Sequence, residues 1–158
     1  MKTLIVYATT HGCTEECAMK IKDGLEDETT LVNIKKASVP NLHDFDTILI
    51  GGSIHAGMIQ RKLKKFCKKN EALLLDKKLG LFLCCMEEGE KAQEQFENAF
   101  PQKLRDHAVA KGFFGGAFRF DRMNAIEKAI IKKVAQIESD VSKISEKNIS
   151  NFIGAIKK

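Results

Sequence analysis

The hydrophobic positions of the chain fall into short apolar runs that are separated by longer stretches with helical spacing. The runs at 3–7, 29–34, 47–50 and 79–85 predict four strands, and the third contains no polar alternation. Strands of this kind are typical of a parallel sheet that helices cover on both faces. A fifth strand is predicted over 108–118, although three glycines interrupt it.

Apolar residues at helical spacing predict the helices between these strands. Thr14 is expected to cap the first helix, which would bury Cys17, Ala18, Ile21 and Leu25. Further helices are predicted over 59–74, 87–100, 123–137 and 146–156. Strands that alternate with helices in this way predict a single α/β domain over 1–158, with a parallel sheet wound on both faces.

Composition narrows the class of protein. A chain of 158 residues with 44% hydrophobic content can bury one sizeable core. It contains no apolar run of about 20 residues and no signal-peptide pattern, so we expect a cytoplasmic protein. Its five cysteines form an odd set without a CxxC pair, which argues against a disulfide framework and a zinc knuckle, and no metal site is expected.

The net charge gives a weaker indication of the kind of partner that the protein binds. The formal net charge of +5 favours acidic partners slightly, because the positive charge is concentrated on a few helical faces. The segment 60–69 is the clearest example, and a solvated helix face is its simplest interpretation, with docking to an acidic protein as the alternative. Nucleic acid is not expected, because no exposed aromatics are interleaved with the lysines and no recognition motif accompanies them.

The turn after the first strand offers the most specific chemistry. Thr9, Thr10 and Thr14 supply three hydroxyls, and Gly12 permits a close backbone approach just before a helix begins. Successive amides at a helix N-terminus suit a phosphate group. The turn lacks the lysine of a Walker loop and the three glycines of a dinucleotide fingerprint, so ATP and NAD are poor candidates. Ligands of such sheets bind at the carboxyl ends of the strands, which directs attention to the loops after strands one, three and four.

These loops resemble those of the flavodoxin family. The turn is similar to the S-x-T-G-x-T-like phosphate loop, the segment IGGSIHAG at 50–57 is similar to one wall of the flavin site, and FLCCMEEGE at 82–90 stands in the place of the second flavin loop. The resemblance implies a flavodoxin-like three-layer fold with strand order 2-1-3-4-5. It also implies noncovalently bound FMN and a redox function.

The resemblance implies which residues would contact FMN. Thr9, His11, Cys13 and Thr14 would line the phosphate, helped by the amides around Thr10 and Gly12. His11 and Cys13 depart from the family pattern, in which threonine and asparagine are usual. The chain has no Trp, and its single Tyr lies within the first strand, so His55 and Met86 fall nearest to the positions that stack on the flavin ring. The full expected set is Thr9, Thr10, His11, Gly12, Cys13, Thr14, Ser53, Ile54, His55, Ala56, Gly57, Cys84, Cys85 and Met86.

A narrower likeness is to the flavodoxin-like, menaquinone-dependent protoporphyrinogen oxidases. It is carried by MKTLI at 1–5, IGGSI at 50–54, GAFRF at 116–120 and IEKAIIKKVAQI at 126–137. The region around 121–145 resembles the helical insertion of longer family members. The apolar stripe over 123–137 either packs on the domain or forms a basic amphipathic surface for a membrane, a quinone or a partner. Arg119 is the only candidate for holding a propionate group.

Three functions therefore remain open at the level of sequence. An electron carrier would pass electrons between FMN and a redox partner protein. An oxidase would take hydrogen from a reduced porphyrin ring or a similar small molecule and pass electrons to a quinone. A degenerate domain would bind partners without flavin, which the unusual His11 and Cys13 make conceivable.

Overall fold

Five parallel strands form the central sheet of the computed structural model, which describes residues 2–118, 125–126, 141–142 and 144–158. The strand order is β2-β1-β3-β4-β5. This confirms the predicted fold class and the predicted order of strands. The strands are β1 (Lys2–Tyr7), β2 (Glu28–Asn33), β3 (Thr47–Ser53), β4 (Lys78–Cys84) and β5 (Ala110–Phe113).

Helices cover both faces of this sheet and complete three layers. On one face, α1 (Cys13–Leu25) and the last helix, α6 (Glu146–Lys157), pack with Ile5, Leu49 and Phe82. The opposite face carries α2 (Arg61–Lys69), α3 (Glu71–Leu74), α4 (Gly89–Ala99) and α5 (Gln102–His107). Alternate residues of each central strand enter opposite cores, which explains why the central parts of β1 (Leu4, Ile5, Val6) and β3 (Ile48, Leu49, Ile50) are apolar without interruption.

The two glycines at the end of β3 belong to the packing of the sheet. Gly51 lies opposite Phe82 of β4, and a Cβ atom at Gly51 would stand only 2.0 Å from that ring. Any larger side chain would therefore displace the aromatic cluster that Phe82 forms with Phe114 and Phe152.

Several element boundaries differ from the prediction. The helix predicted over 59–74 is divided at Asn70, because the Asn70 side-chain amide donates to the Phe66 carbonyl at 3.0 Å and ends α2 there. The fifth strand is shorter than 108–118, because Gly115 adopts a left-handed conformation with φ of 79°. The chain then forms a separate antiparallel ribbon, β6 (Ala117–Phe118) with β7 (Val141–Ser142). The short helix α5 was not predicted from the sequence.

The start of α1 also corrects a prediction. Gly12, with φ of 92°, precedes the helix as its N-cap, and Thr14 already lies inside the first turn. The expected Thr14 cap was wrong, and the N-cap residue that replaces it, Gly12, offers no capping side chain. Most of the stripe at 123–137, the insertion around 121–145, and Arg119 lie outside the described residues.

Candidate functional site

Three loops meet at the carboxyl edge of the sheet, as expected from the sequence. They follow β1, β3 and β4 and span 8–12, 54–60 and 85–88. The amide of Ala8 donates to the Gly51 carbonyl at 3.1 Å, and the amide of Ile54 donates to the Cys84 carbonyl at 2.9 Å. Backbone hydrogen bonds therefore fix the origin of each loop relative to its neighbour.

The turn after β1 is shaped by its own backbone and one hydroxyl. The Gly12 amide donates to Thr9 Oγ1 at 2.8 Å, and Gly12 adopts the left-handed conformation that leads directly into α1. A residue with a side chain would be strained at this φ value. Gly12 has no side chain to cap α1, and backbone amides at the start of a helix are suited to an anion.

The Thr14 hydroxyl adds a donor to this group. Thr14 is fully buried, and its Oγ1 makes no hydrogen bond within the described structure. A buried hydroxyl without a partner costs about 1–3 kcal/mol, so such groups call for an explanation. The hydroxyls of Thr3 and Thr47 also lack a hydrogen-bond partner among the described residues, but these two residues lie side by side on β1 and β3 at the opposite end of the sheet. Thr14 is thus the only one of the three at the helix N-terminus, where a phosphate would satisfy it.

The Gln60 side chain joins the first two loops, a role that no sequence pattern predicted. Its Nε2 donates to Ser53 Oγ at 2.7 Å and to Thr10 Oγ1 at 3.2 Å. Its Oε1 accepts from the Ser53 amide at 3.1 Å. Lys35 also reaches the turn from the end of β2, with its Nζ at 3.5 Å from the Thr9 carbonyl. Both residues are functional candidates that were missed, because their partners lie many positions away along the chain.

The loop after β3 ends in a tight hairpin. The backbones of His55 and Met58 exchange two hydrogen bonds, of 2.8 and 3.1 Å. The two residues between them are left-handed, Ala56 with φ of 52° and Gly57 with φ of 79°. A left-handed alanine is unfavourable, and strain of this kind is found most often at functional loops. The His11 and His55 rings lie edge to face with centroids 5.9 Å apart, which brings the first two loops into contact.

The loop after β4 borders a small cavity. Met86 is half-buried, whereas Glu87, Glu88 and Glu90 are exposed to solvent. The cavity measures about 400 Å³, which lies within the range of small-molecule sites, and its lining includes Met86, Phe113 and Asn148. The exposed carboxylates are solvated at this position.

Cys84 and Cys85 point to opposite faces of the sheet, as their adjacent positions predicted. Cys84 enters the core beneath α1, and Cys85 enters the core beneath α4. Hydrogen bonds to the Cys13 and Cys17 thiols, together with burial, raise the pKa of Cys84 well above its usual value. A hydrogen bond to Cys13 is also the main reason why the pKa of Cys17 is raised. Burial raises the pKa of Cys85.

A second and larger groove lies between the segment after β2 and helix α2. It measures about 850 Å³ and has an apolar floor that includes Leu42 and Phe66. No carboxylate is found among the described residues that line it. Its lysines are Lys35, Lys36, Lys62, Lys65 and Lys69, and we refer to this surface as the basic groove. The exposed cations of α2 confirm the predicted orientation of that helix, with Leu63, Phe66 and Cys67 buried.

The structure thus brings the expected turn residues 9–14 together with residues 53–57, and it places Met86 on the third loop. Cys13 and Cys84 lie within a core rather than on a loop surface. Direct contact of any of these residues with FMN stays a prediction. No helix in the described ranges is both long enough and apolar enough to cross a bilayer.

This sheet order and a helix N-terminus at the carboxyl edge define a flavodoxin-type domain. A family model described as a flavodoxin domain matches residues 4–145, so the chain belongs to the flavodoxin domain family. Membership confirms the expected class, an FMN-binding domain that transfers electrons.

Solved structures show the same fold. A short-chain flavodoxin associated with a non-canonical PDU bacterial microcompartment has a TM-score of 0.65 and 16% identity, with 99% of this chain and 97% of that one covered. A Fusobacterium nucleatum flavodoxin bound to flavin mononucleotide has a TM-score of 0.57 and 19% identity, with 99% and 96% covered.

A curated relative matches part of the chain. The protoporphyrinogen IX dehydrogenase [quinone] of Escherichia coli K12 is 30% identical over 77 residues. The match covers 47% of this chain and 42% of that protein, so it spans less than half the length of either.

Proposed function

We propose that the chain holds FMN with its phosphate at the turn 9–14 and exchanges electrons with a partner protein. The observation that carries this proposal is the buried Thr14 hydroxyl, which has no hydrogen-bond partner among the described residues and lies at the N-terminus of α1, after the N-cap Gly12. A phosphate at this point would accept hydrogen bonds from Thr14 and from the first-turn amides, and the helix dipole would favour its charge. When bound, FMN supplies the redox chemistry, and the polypeptide supplies position and electrostatics.

The other two loops would hold the flavin ring. His55 is exposed and Met86 is half-buried, and an imidazole and a thioether cover less area than the aromatic rings they would replace. Gln60 would keep Ser53 and Thr10 at a fixed separation. We therefore infer that the phosphate, and not the ring, provides most of the affinity.

The basic groove would receive the partner. Five lysines and no described carboxylate line it, which favours an acidic protein surface. The contact of Lys35 with the Thr9 carbonyl extends this positive surface to the edge of the turn 9–14, which we call the phosphate turn. A partner seated there would lie beside the flavin site.

Replacing Lys62 and Lys65 with glutamate tests this docking surface. The change is expected to slow electron transfer at low salt and to weaken the dependence of the rate on ionic strength. The α4 variant Lys91→Glu is the control.

A second candidate function is the quinone-dependent oxidation of a reduced porphyrin ring. The Escherichia coli relative favours it, although the match covers less than half of that protein. The propionate contact predicted for Arg119 and the membrane contact predicted over 123–137 belong to this alternative. So does the prediction of a cytoplasmic protein that associates with a membrane surface.

Titration of the apoprotein with FMN, and in parallel with riboflavin, tests the proposal. Riboflavin is the matched ligand because it lacks only the phosphate. We expect quenching of FMN fluorescence at concentrations where riboflavin remains free. Equal affinity for the two ligands would contradict a phosphate site, and no binding of either would refute the flavin assignment.

The same flavoprotein then separates the two functions. Under anaerobic conditions, loss of visible flavin absorbance on adding protoporphyrinogen, and its return with a menaquinone analogue, would establish the oxidase. Reduction by a flavodoxin reductase alone would establish the carrier.

A further inference from the structure

Three cysteine thiols converge beneath the phosphate turn. Cys13 and Cys17 lie four residues apart on the same side of α1, and Cys84 lies at the end of β4. Their sulfur atoms all lie within 4.8 Å of one another, and the Cys84 thiol donates to Cys17 Sγ at 3.6 Å. All three side chains are at least nine-tenths buried. The two remaining cysteines, Cys67 and Cys85, lie in the core on the opposite face of the sheet.

The spacing of these sulfurs is that of a site with three ligands. Bonds of about 2.3 Å from three sulfurs to one centre place the sulfurs about 3.4 to 4 Å apart, depending on whether the centre is pyramidal or planar. The three sulfurs lie within 4.8 Å of one another, and those of Cys84 and Cys17 are 3.6 Å apart, so binding would need only a small movement. The described residues add no fourth cysteine, histidine or carboxylate to the group. Structural zinc sites are closed by four ligands, and the hard cations Mg²⁺ and Ca²⁺ require oxygen, so neither class fits.

Charge selects among the soft ions that remain. The surroundings are apolar and include Ile5, Phe82 and Phe114. Three thiolates carry three negative charges, so a monovalent ion such as Cu⁺ would leave a net charge of −2 in this core. A divalent ion would leave −1, and a trivalent ion would leave none. Because an unpaired buried charge is costly, the neutral complex is favoured.

We propose that Cys13, Cys17 and Cys84 form a binding site for one trivalent, thiophilic ion of the arsenite class. Binding is an exchange of ligands without a change of oxidation state. Three As–O bonds of As(OH)3 break and three As–S bonds form, and each thiol proton leaves with a hydroxyl group as water. The site does not depend on FMN, because it requires only the three sulfurs. Its occupation would join the first turn of α1 to the end of β4.

Native mass spectrometry of the reduced apoprotein with arsenite tests the site. We expect one arsenic atom per chain, with the loss of three hydrogens that marks three sulfur bonds. Cys17→Ala should abolish this species at the same arsenite concentration. Cys67→Ala is the matched control, since it removes an equally buried thiol from the other face of the sheet, and it should leave the species intact.

Thermal unfolding provides a second readout. A ligand that binds only the folded chain raises the midpoint, so arsenite should stabilise the wild type and Cys67→Ala. Cys84→Ala should show no such shift, and it serves where Cys17→Ala fails to fold. The proposal is overturned by the absence of an adduct or by its persistence in the Cys84→Ala variant. A complex with Cu⁺ or Zn²⁺ that arsenite cannot displace would overturn it as well.

Discussion

The turn after β1 and the loops after β3 and β4 border the same edge of the sheet, but they are fixed by different means. Left-handed Gly12, the Thr9 hydroxyl and a buried Thr14 define the turn, so its shape depends on backbone and core. The other loops present exposed His55 and half-buried Met86, and the side chain of Gln60 holds the loop after β3 in place. The difference suggests that phosphate affinity and ring affinity can be altered separately.

The largest loss of FMN affinity should come from Thr14→Val. The change keeps the shape and removes the hydroxyl, which would cost a charged hydrogen bond of about 1.5–3 kcal/mol and weaken FMN binding about 10- to 150-fold. The apoprotein should become more stable, because a buried hydroxyl without a partner is lost. Thr47→Val is the control, since it removes an equally buried hydroxyl at the opposite end of the sheet. Fluorescence titration and urea unfolding measure the two effects, and equal loss of affinity in both variants would contradict the assignment.

A smaller loss is expected from Gln60→Ala. It removes the amide group that connects Ser53 with Thr10, and each such hydrogen bond contributes about 1 kcal/mol. FMN affinity should fall about 5- to 10-fold. Gln102→Ala, at the exposed start of α5, changes a residue that lines neither cavity and should have no effect on the same titration.

A gain in flavin affinity, and not a loss, is expected from His55→Trp. An indole at this exposed position would cover more of the flavin ring, and an aromatic pair adds about 0.5–1.5 kcal/mol, or about a 2- to 12-fold gain in affinity. Riboflavin should gain by the same factor as FMN, because the change does not touch the phosphate turn. His43→Trp, on the 3-10 turn Leu42–Asp44, is the control. A gain confined to FMN would show that the two regions are not independent.

The smallest effect concerns Ala56. Its left-handed φ of 52° favours glycine, so Ala56→Gly should stabilise the chain by up to about 1 kcal/mol in urea unfolding. Ala37→Gly is the control, because Ala37 is exposed and its φ is not positive. That variant should be destabilised by about 0.5–1 kcal/mol. Destabilisation by both changes would mean that Ala56 is not strained.

The sequence predicted the layers because the central strands are apolar on both faces, whereas the strand order was implied by the resemblance to flavodoxins. It also predicted that the three loops would meet, since parallel strands end at one edge of the sheet. The role of Gln60 in joining the loops was not predicted, because its contact with Thr10 spans 50 positions of the chain. The break at Asn70 depends on one side-chain hydrogen bond, which hydrophobic periodicity does not reveal. The sequence did not predict the thiol cluster, because Cys84 approaches Cys13 only through the packing of α1 on β4.

Because all five cysteines are buried, the rate at which their thiols are alkylated reports how often the native fold opens. Burial raises the pKa of Cys67 to about 12, so its reactive thiolate is scarce at neutral pH until the fold opens. Alkylation by iodoacetamide would therefore follow opening rates and not surface chemistry. Cys13 is the first residue of α1, and helix ends open more readily than cores, so Cys13 should react first, whereas Cys67 should react only on global unfolding. The difference between the two rates would record how often the phosphate turn opens while the sheet stays intact.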